Sequence, residues 1–124
     1  MIRIGSEEDM DEPVIDTAVY AGLQETTGAE FAAELVDTFL EEASGMLSEL
    51  RSARAENHAD RFRRAAHSLK SNSNTFGVSK LAALARALEL KGLDADPARD
   101  MAALVALEAE YARAATALKD LRHG

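Results

Sequence analysis

The apolar positions of this chain recur at helical spacing along nearly its whole length. Between residues 29 and 55, Ala32, Leu35, Phe39, Ala43, Met46, Leu50 and Ala53 alternate steps of three and four, which gathers them into one stripe of an α-helix. Glu34, Asp37, Glu41, Glu42 and Glu49 fall mostly off that stripe. Phe62, Ala66, Leu69, Ser73 and Phe76 make a second stripe and predict a helix over 59–76. Leu81, Leu84, Ala85 and Leu88 mark a third helix over 79–91. Met101, Leu104, Tyr111, Ala115 and Leu118 give the buried side of a fourth, from Pro97 to Leu121. A shorter helix over 16–26 precedes them, with Val19 and Leu23 one turn apart. No segment alternates with period two, so no strand is expected.

Start and stop signals agree with these spans. Asp16 is a candidate N-cap for the short helix and Gly28 ends it. Asn57 and His58 mark a turn, and Gly77 and Gly92 mark two helix ends. Asp96 followed by Pro97 reads as an N-cap and a proline at the first helical position. Several long amphipathic helices with short connections predict an all-α fold, an antiparallel four-helix bundle. The first helix is too short to be a full member and is expected to cap or flank the bundle. Residues 1–15, which hold Glu7, Glu8, Asp9, Asp11 and Glu12, read as a flexible acidic segment ahead of a bundle domain over 16–122.

Composition narrows the function classes. The 124 residues are enough for one domain and one core. Apolar residues make up 47 % and charged residues 29 %, with no run near the roughly 20 residues needed to cross a bilayer. No basic segment followed by a hydrophobic one opens the chain, so no leader and no membrane partner are expected. The absence of cysteine fits a reducing, cytoplasmic setting. Met1 and a complete bundle suggest a free-standing protein. The net charge of −8 argues against nucleic acid.

That charge is uneven. From Arg51 to Lys91, nine Lys and Arg face three acids, while the remaining residues carry a balance of −14. The basic middle is either a solvated helix face or a local attraction for something anionic.

The stretch AAHSLKSNSNTFG, from Ala65 to Gly77, gives up helix propensity, about 0.5 kcal/mol for each small polar residue. Turning the helix over 59–76 by 100° per residue puts Phe62, Ala66, Leu69, Ser73 and Phe76 on the side opposite His67. Asp60, Arg63, Arg64, Lys70, Ser71 and Asn74 lie within about 60° of His67. His67 is thus expected to face solvent. Cationic neighbours favour a neutral imidazole, whose lone pair a nucleophile needs. Ser68, Ser71 and Asn74 are short enough for another protein to approach closely. The alternative is that these residues are tolerated surface.

His67-Ser68-Leu69-Lys70, the small residues after it, Gly77, Leu81 and the pair Leu88-Glu89 resemble the histidine-containing phosphotransfer (HPt) domain family. Its pattern is H-x-L-K-G, a small-residue run, glycine, then leucines ending in L-E. Phe62, Ala65-Ala66 and Phe39-Leu40-Glu41 match the pattern's flanks. The resemblance spans about Asp16 to Leu121. It implies that His67 takes a phosphoryl group on Nε2 from a receiver-domain aspartyl phosphate and passes it to a second receiver aspartate. Lys70 would sit near the phosphoryl oxygens. The chain would need no cofactor, the Mg²⁺ belonging to the receiver. The expected partners are response-regulator receiver domains and a hybrid histidine kinase, met by a monomer. Arg63, Arg64, Ser71 and Asn74 are the expected docking residues, on a surface made by the exposed sides of the helices over 29–55 and 59–76 around His67. One departure stands out: Ser71 occupies the place of the pattern's glycine.

Rival readings are weaker. A non-catalytic adaptor that sequesters a regulator or kinase would have no use for both His67 and Lys70. A kinase would need a nucleotide-binding segment, and no G-x-x-x-x-G-K-[ST] or glycine-rich lid is present. A metal or haem bundle would have to use His58, in a predicted turn, or His123, in the tail, and no Glu-x-x-His pair exists. Met10, Met46 and Met101 read as lead-in or core, and Tyr20 and Tyr111 as packing residues.

Overall fold

Backbone groups at several helix ends find partners in the residues that the sequence marks as caps. In the computed structural model, which describes residues 16–123, Asp16 accepts the Ala18 N–H at 3.0 Å and opens α1, Thr17–Thr27. Gly28 closes α1 and leads into α2, Ala29–Ala55. Asn57 then takes a positive φ of 57°, and His58 becomes the N-cap of α3, Ala59–Thr75, its Nδ1 accepting the Arg61 N–H at 3.3 Å. Phe76 is the C-cap of α3 rather than its last turn. After α4, Ser79–Lys91, Asp96 accepts the Ala98 N–H at 3.0 Å in front of α5, Pro97–His123. No strand occurs among the described residues. The acidic segment expected over 1–15 lies outside them.

The four long helices alternate in direction. On α2 and α5, the Tyr111 hydroxyl donates to the Leu40 carbonyl at 2.8 Å while Arg54 reaches Asp100, so one helix ascends as the other descends. Glu49 and Arg61 join α2 to α3 near their shared turn, and His67 and Lys70 join α3 to Glu89 of α4. Each helix thus contacts its sequence neighbour, and α5 closes the ring against α2. This is the expected antiparallel four-helix bundle.

Phe39, Leu50, Phe62, Leu69, Leu81, Leu104, Leu107 and Leu118 fill its centre. The buried face of α2 is wider than the stripe predicted, because Val36, Leu40 and Leu47 are buried too. Two expected core residues face outward: Leu84 and Met101, each 36 % exposed. At Met101 the reason is its neighbour. Asp100 takes the inward position at the start of α5, where Arg54, Lys91 and the Asp94 N–H converge on its carboxylate.

Short α1 flanks the bundle, as expected. Its N-cap residue donates the Asp16 N–H to the Gly77 carbonyl at 2.8 Å, at the corner between α3 and α4. Gly77 has φ 72°, and a Cβ there would lie 2.9 Å from Val19 Cβ, so both backbone and space demand glycine. Tyr20 is buried in the core cluster.

Candidate functional site

Helix phase decides what α3 shows to solvent. Phe62, Ala66, Leu69 and Ser73 are buried, so the opposite face carries His67 outward, as the wheel predicts. The His67 side chain is 56 % exposed. Its Nδ1 lies 2.7 Å from Oε2 of Glu89 on α4. Oε1 of the same carboxylate lies 2.8 Å from Nζ of Lys70. One acid from α4 therefore joins the two residues that α3 presents one turn apart.

The hydrogen-bond roles follow from that contact. Hydrogen bonding from Lys70, then from His67, holds the Glu89 carboxyl below its ordinary range, against the opposing effect of desolvation. An ionised carboxylate only accepts hydrogen bonds. The imidazole must therefore donate through Nδ1–H, which places the lone pair of a neutral ring on Nε2. The charged group in contact with His67 is an acid.

Glu89 was missed as a site residue. It appears in the sequence only as the end of the L-E pair, but it is the sole acid of SKLAALARALELK, which also holds Lys80, Arg86 and Lys91. A single acid in a helix that is otherwise cationic and apolar was the available signal.

The other proposed site residues divide. Arg63 and Arg64 are exposed and share Asp60, at 2.9 and 3.0 Å. Arg64 and Ser71 line an open groove between α2 and α3 that also borders His67 and Ser68. Its apolar floor includes Met46 and Ala65, and Glu42, Gly45 and Glu49 stand along its α2 bank. Asn72 lines it as well, its side-chain N–H 3.9 Å from the Met46 sulfur. Arg63 and Asn74 share the exposed face of α3 but do not line the groove.

Much of the basic middle of the chain is paired with acids. Arg61 pairs with Glu49 and Glu56, Arg51 with Glu108, Arg54 and Lys91 with Asp100, and Lys70 with Glu89. Arg63 and Arg64, which share the one carboxylate of Asp60, stay exposed. His58 caps α3 in the turn where it was predicted.

What this arrangement can do chemically is present one unencumbered imidazole nitrogen, oriented by a carboxylate and accompanied by a lysine, on a rigid scaffold beside a groove. The sequence matches no curated protein. The crystal structure of histidine-containing phosphotransfer protein B (HptB) from Pseudomonas aeruginosa PAO1 superposes with a TM-score of 0.78 at 28 % identity, covering 91 % of this chain and 97 % of that one. The family model of the Hpt domain matches residues 34–118, a span that holds His67, Lys70 and Glu89, and the chain belongs to the Hpt domain family.

Proposed function

We propose that His67 is the phosphoacceptor of a multistep phosphorelay, taking a phosphoryl group from the aspartyl phosphate of one receiver domain and passing it to the aspartate of another. The observation that carries this reading is the exposed imidazole whose Nδ1 is held by Glu89, leaving Nε2 free.

In the forward step the Nε2 lone pair attacks phosphorus, the Nε2–P bond forms, and the bond from phosphorus to the aspartyl oxygen breaks. The carboxylate leaves with that electron pair. No proton need move at His67, because the neutral ring becomes a phosphoimidazolium that keeps its Nδ1–H. Glu89 accepts from that N–H throughout and matches the positive charge that the ring acquires. Passing the group on reverses the bond changes at a second aspartate. Phosphoryl transfer depends chiefly on positioning and charge neutralisation. Lys70 supplies a cation one turn from His67, and the long side chain that now meets Glu89 can turn toward phosphoryl oxygens. The chain needs no cofactor for this; the Mg²⁺ belongs to the receiver. The partners are response-regulator receivers and a hybrid histidine kinase, and the protein acts as a carrier without an ATP site of its own.

The test is incubation with receiver domains phosphorylated by acetyl phosphate and Mg²⁺. An acid-labile, base-stable label should appear on this chain. His67→Gln should keep its helical circular dichroism, because the ring faces water, and should take no label. Acid-labile labelling of the variant would overturn the assignment.

A further inference from the structure

Glycine in the interior of a helix costs stability, since it gives up more backbone freedom on folding than alanine does. The 27-residue helix α2 nevertheless carries Gly45 near its middle. Two reasons normally keep a glycine in such a place, and neither applies. Its backbone is not left-handed: the positive-φ glycines among the described residues are Gly28, Gly77 and Gly92. Nor does any part of the fold need the space, because a Cβ built on Gly45 would meet nothing within 4 Å. Gly45 is exposed, and the open space beside it is the groove that borders His67 and Ser68.

We infer that Gly45 is a clearance position for the phosphodonor, allowing a helix of an incoming receiver domain to pack against α2 while its aspartyl phosphate meets His67. This rests on the reading of His67 as the phosphoacceptor. The groove is continuous with that residue, its floor is apolar at Met46 and Ala65, and its banks carry opposite charges in Glu42 and Arg64. An amphipathic helix with charged flanks matches such a surface. Packed helices lie about 8–10 Å apart according to the side chains at the crossing, and glycine favours the near end of that range. A larger side chain at position 45 would hold the partner off by an ångström or more. Misplacing reacting atoms by about 1 Å can slow a reaction about a hundredfold.

Gly22 supplies the control. It is also exposed, lies in α1 away from the groove, and has nothing within 4 Å of a Cβ. Gly22→Ala and Gly45→Ala should each raise Tm by about 4 °C. Gly45→Gln places a long, helix-compatible side chain in the groove. Its rate of phosphorylation by phosphorylated receiver domains of the same genome should fall at least about tenfold. Its labelling by phosphoramidate should match wild type; there the P–N bond breaks, ammonia leaves and the Nε2–P bond forms without a protein partner. Gly22→Ala should leave both reactions unchanged.

Normal transfer from receivers to Gly45→Gln would overturn the inference. A lower Tm for Gly45→Ala would do the same, because the glycine would then serve the fold. So would wild-type protein that phosphoramidate labels but no receiver in the genome does. If neither donor labels wild-type His67, the phosphoacceptor reading itself fails.

Discussion

Asp100→Asn isolates one charge in the part of the bundle that is most polar inside. Asp100 is 0 % exposed at the start of α5. Arg54 from α2 donates to its Oδ2 at 2.6 Å, Lys91 from α4 donates to Oδ1 at 3.0 Å, and the Asp94 N–H donates to Oδ2 at 2.8 Å. Three segments thus converge on one carboxylate. Burial pushes its pKa up, but the Asp94 N–H, Arg54 and Lys91 together hold it below the ordinary carboxylate range. Removing one partner of a buried ion pair costs about 3–5 kcal/mol, because the other charge is left desolvated. Asparagine keeps one oxygen and the shape of the site, so the expected loss is nearer about 2–3 kcal/mol, or about 10 °C in Tm for a domain of this size.

The charge also sets a pH signature. A group whose folded pKa is depressed contributes stability above its unfolded pKa, about 3.9, and loses it as pH falls through the folded value. Urea unfolding of both proteins between pH 8 and pH 2 should therefore give a gap that is constant down to about pH 5 and narrows below about pH 4. A gap that persists unchanged to pH 2 would show that shape, not charge, is lost. A gap under about 0.5 kcal/mol at pH 7 would show that desolvation cancels the pair.

Glu89→Gln keeps an acceptor near Nδ1 but removes the charge that matches the phosphoimidazolium and puts an amide where Lys70 binds. We expect transfer to slow by about 10–100-fold with Tm little changed, as for other groups that orient a histidine; stopped phosphotransfer assays with wild-type-like rates would remove Glu89 from the mechanism. Lys70→Ala should fold normally and transfer more slowly from receivers, and unchanged rates would take the lysine out of the reaction.

The bundle was legible because its signals are local. Cap residues such as Asp16 and Asp96 and the three-and-four spacing of Phe39, Ala43 and Leu50 each act within a turn or two of helix. The outward phase of His67 follows from the same arithmetic, since Phe62, Leu69 and Ser73 fix the inward side. What the periodicity could not show was set by tertiary contact. Met101 fits the apolar stripe of α5 but yields the inward place to Asp100, whose partners come from 46 and 9 residues away. The pairing of Arg51, Arg54 and Arg61 was hidden for a similar reason, since Glu108, Asp100 and Glu49 come from other helices to meet them. Glu89 belongs to this second class. Only α3 packing against α4 shows that it stands 22 residues from the histidine it holds.

That dependence says how the site stays rigid. His67 and Lys70 are exposed or half-buried, and long side chains on a surface do not keep a fixed geometry by themselves. Their common partner, however, sits one residue after Leu88, which is buried, and His67 stands two residues before Leu69, which is also buried. The contact between Nδ1 and Oε2 therefore inherits the register of α3 against α4, set by Leu69, Leu81, Ala85 and Leu88 in the core. Glu89 is bound twice, by the ring and by the ammonium, so neither partner alone fixes its rotamer. The wall of the bundle at α3 and α4 thus orients the imidazole, while the groove between α3 and α2 stays open. With the contact on one side of α3 and the groove on the other, the histidine is held by the fold and still exposed.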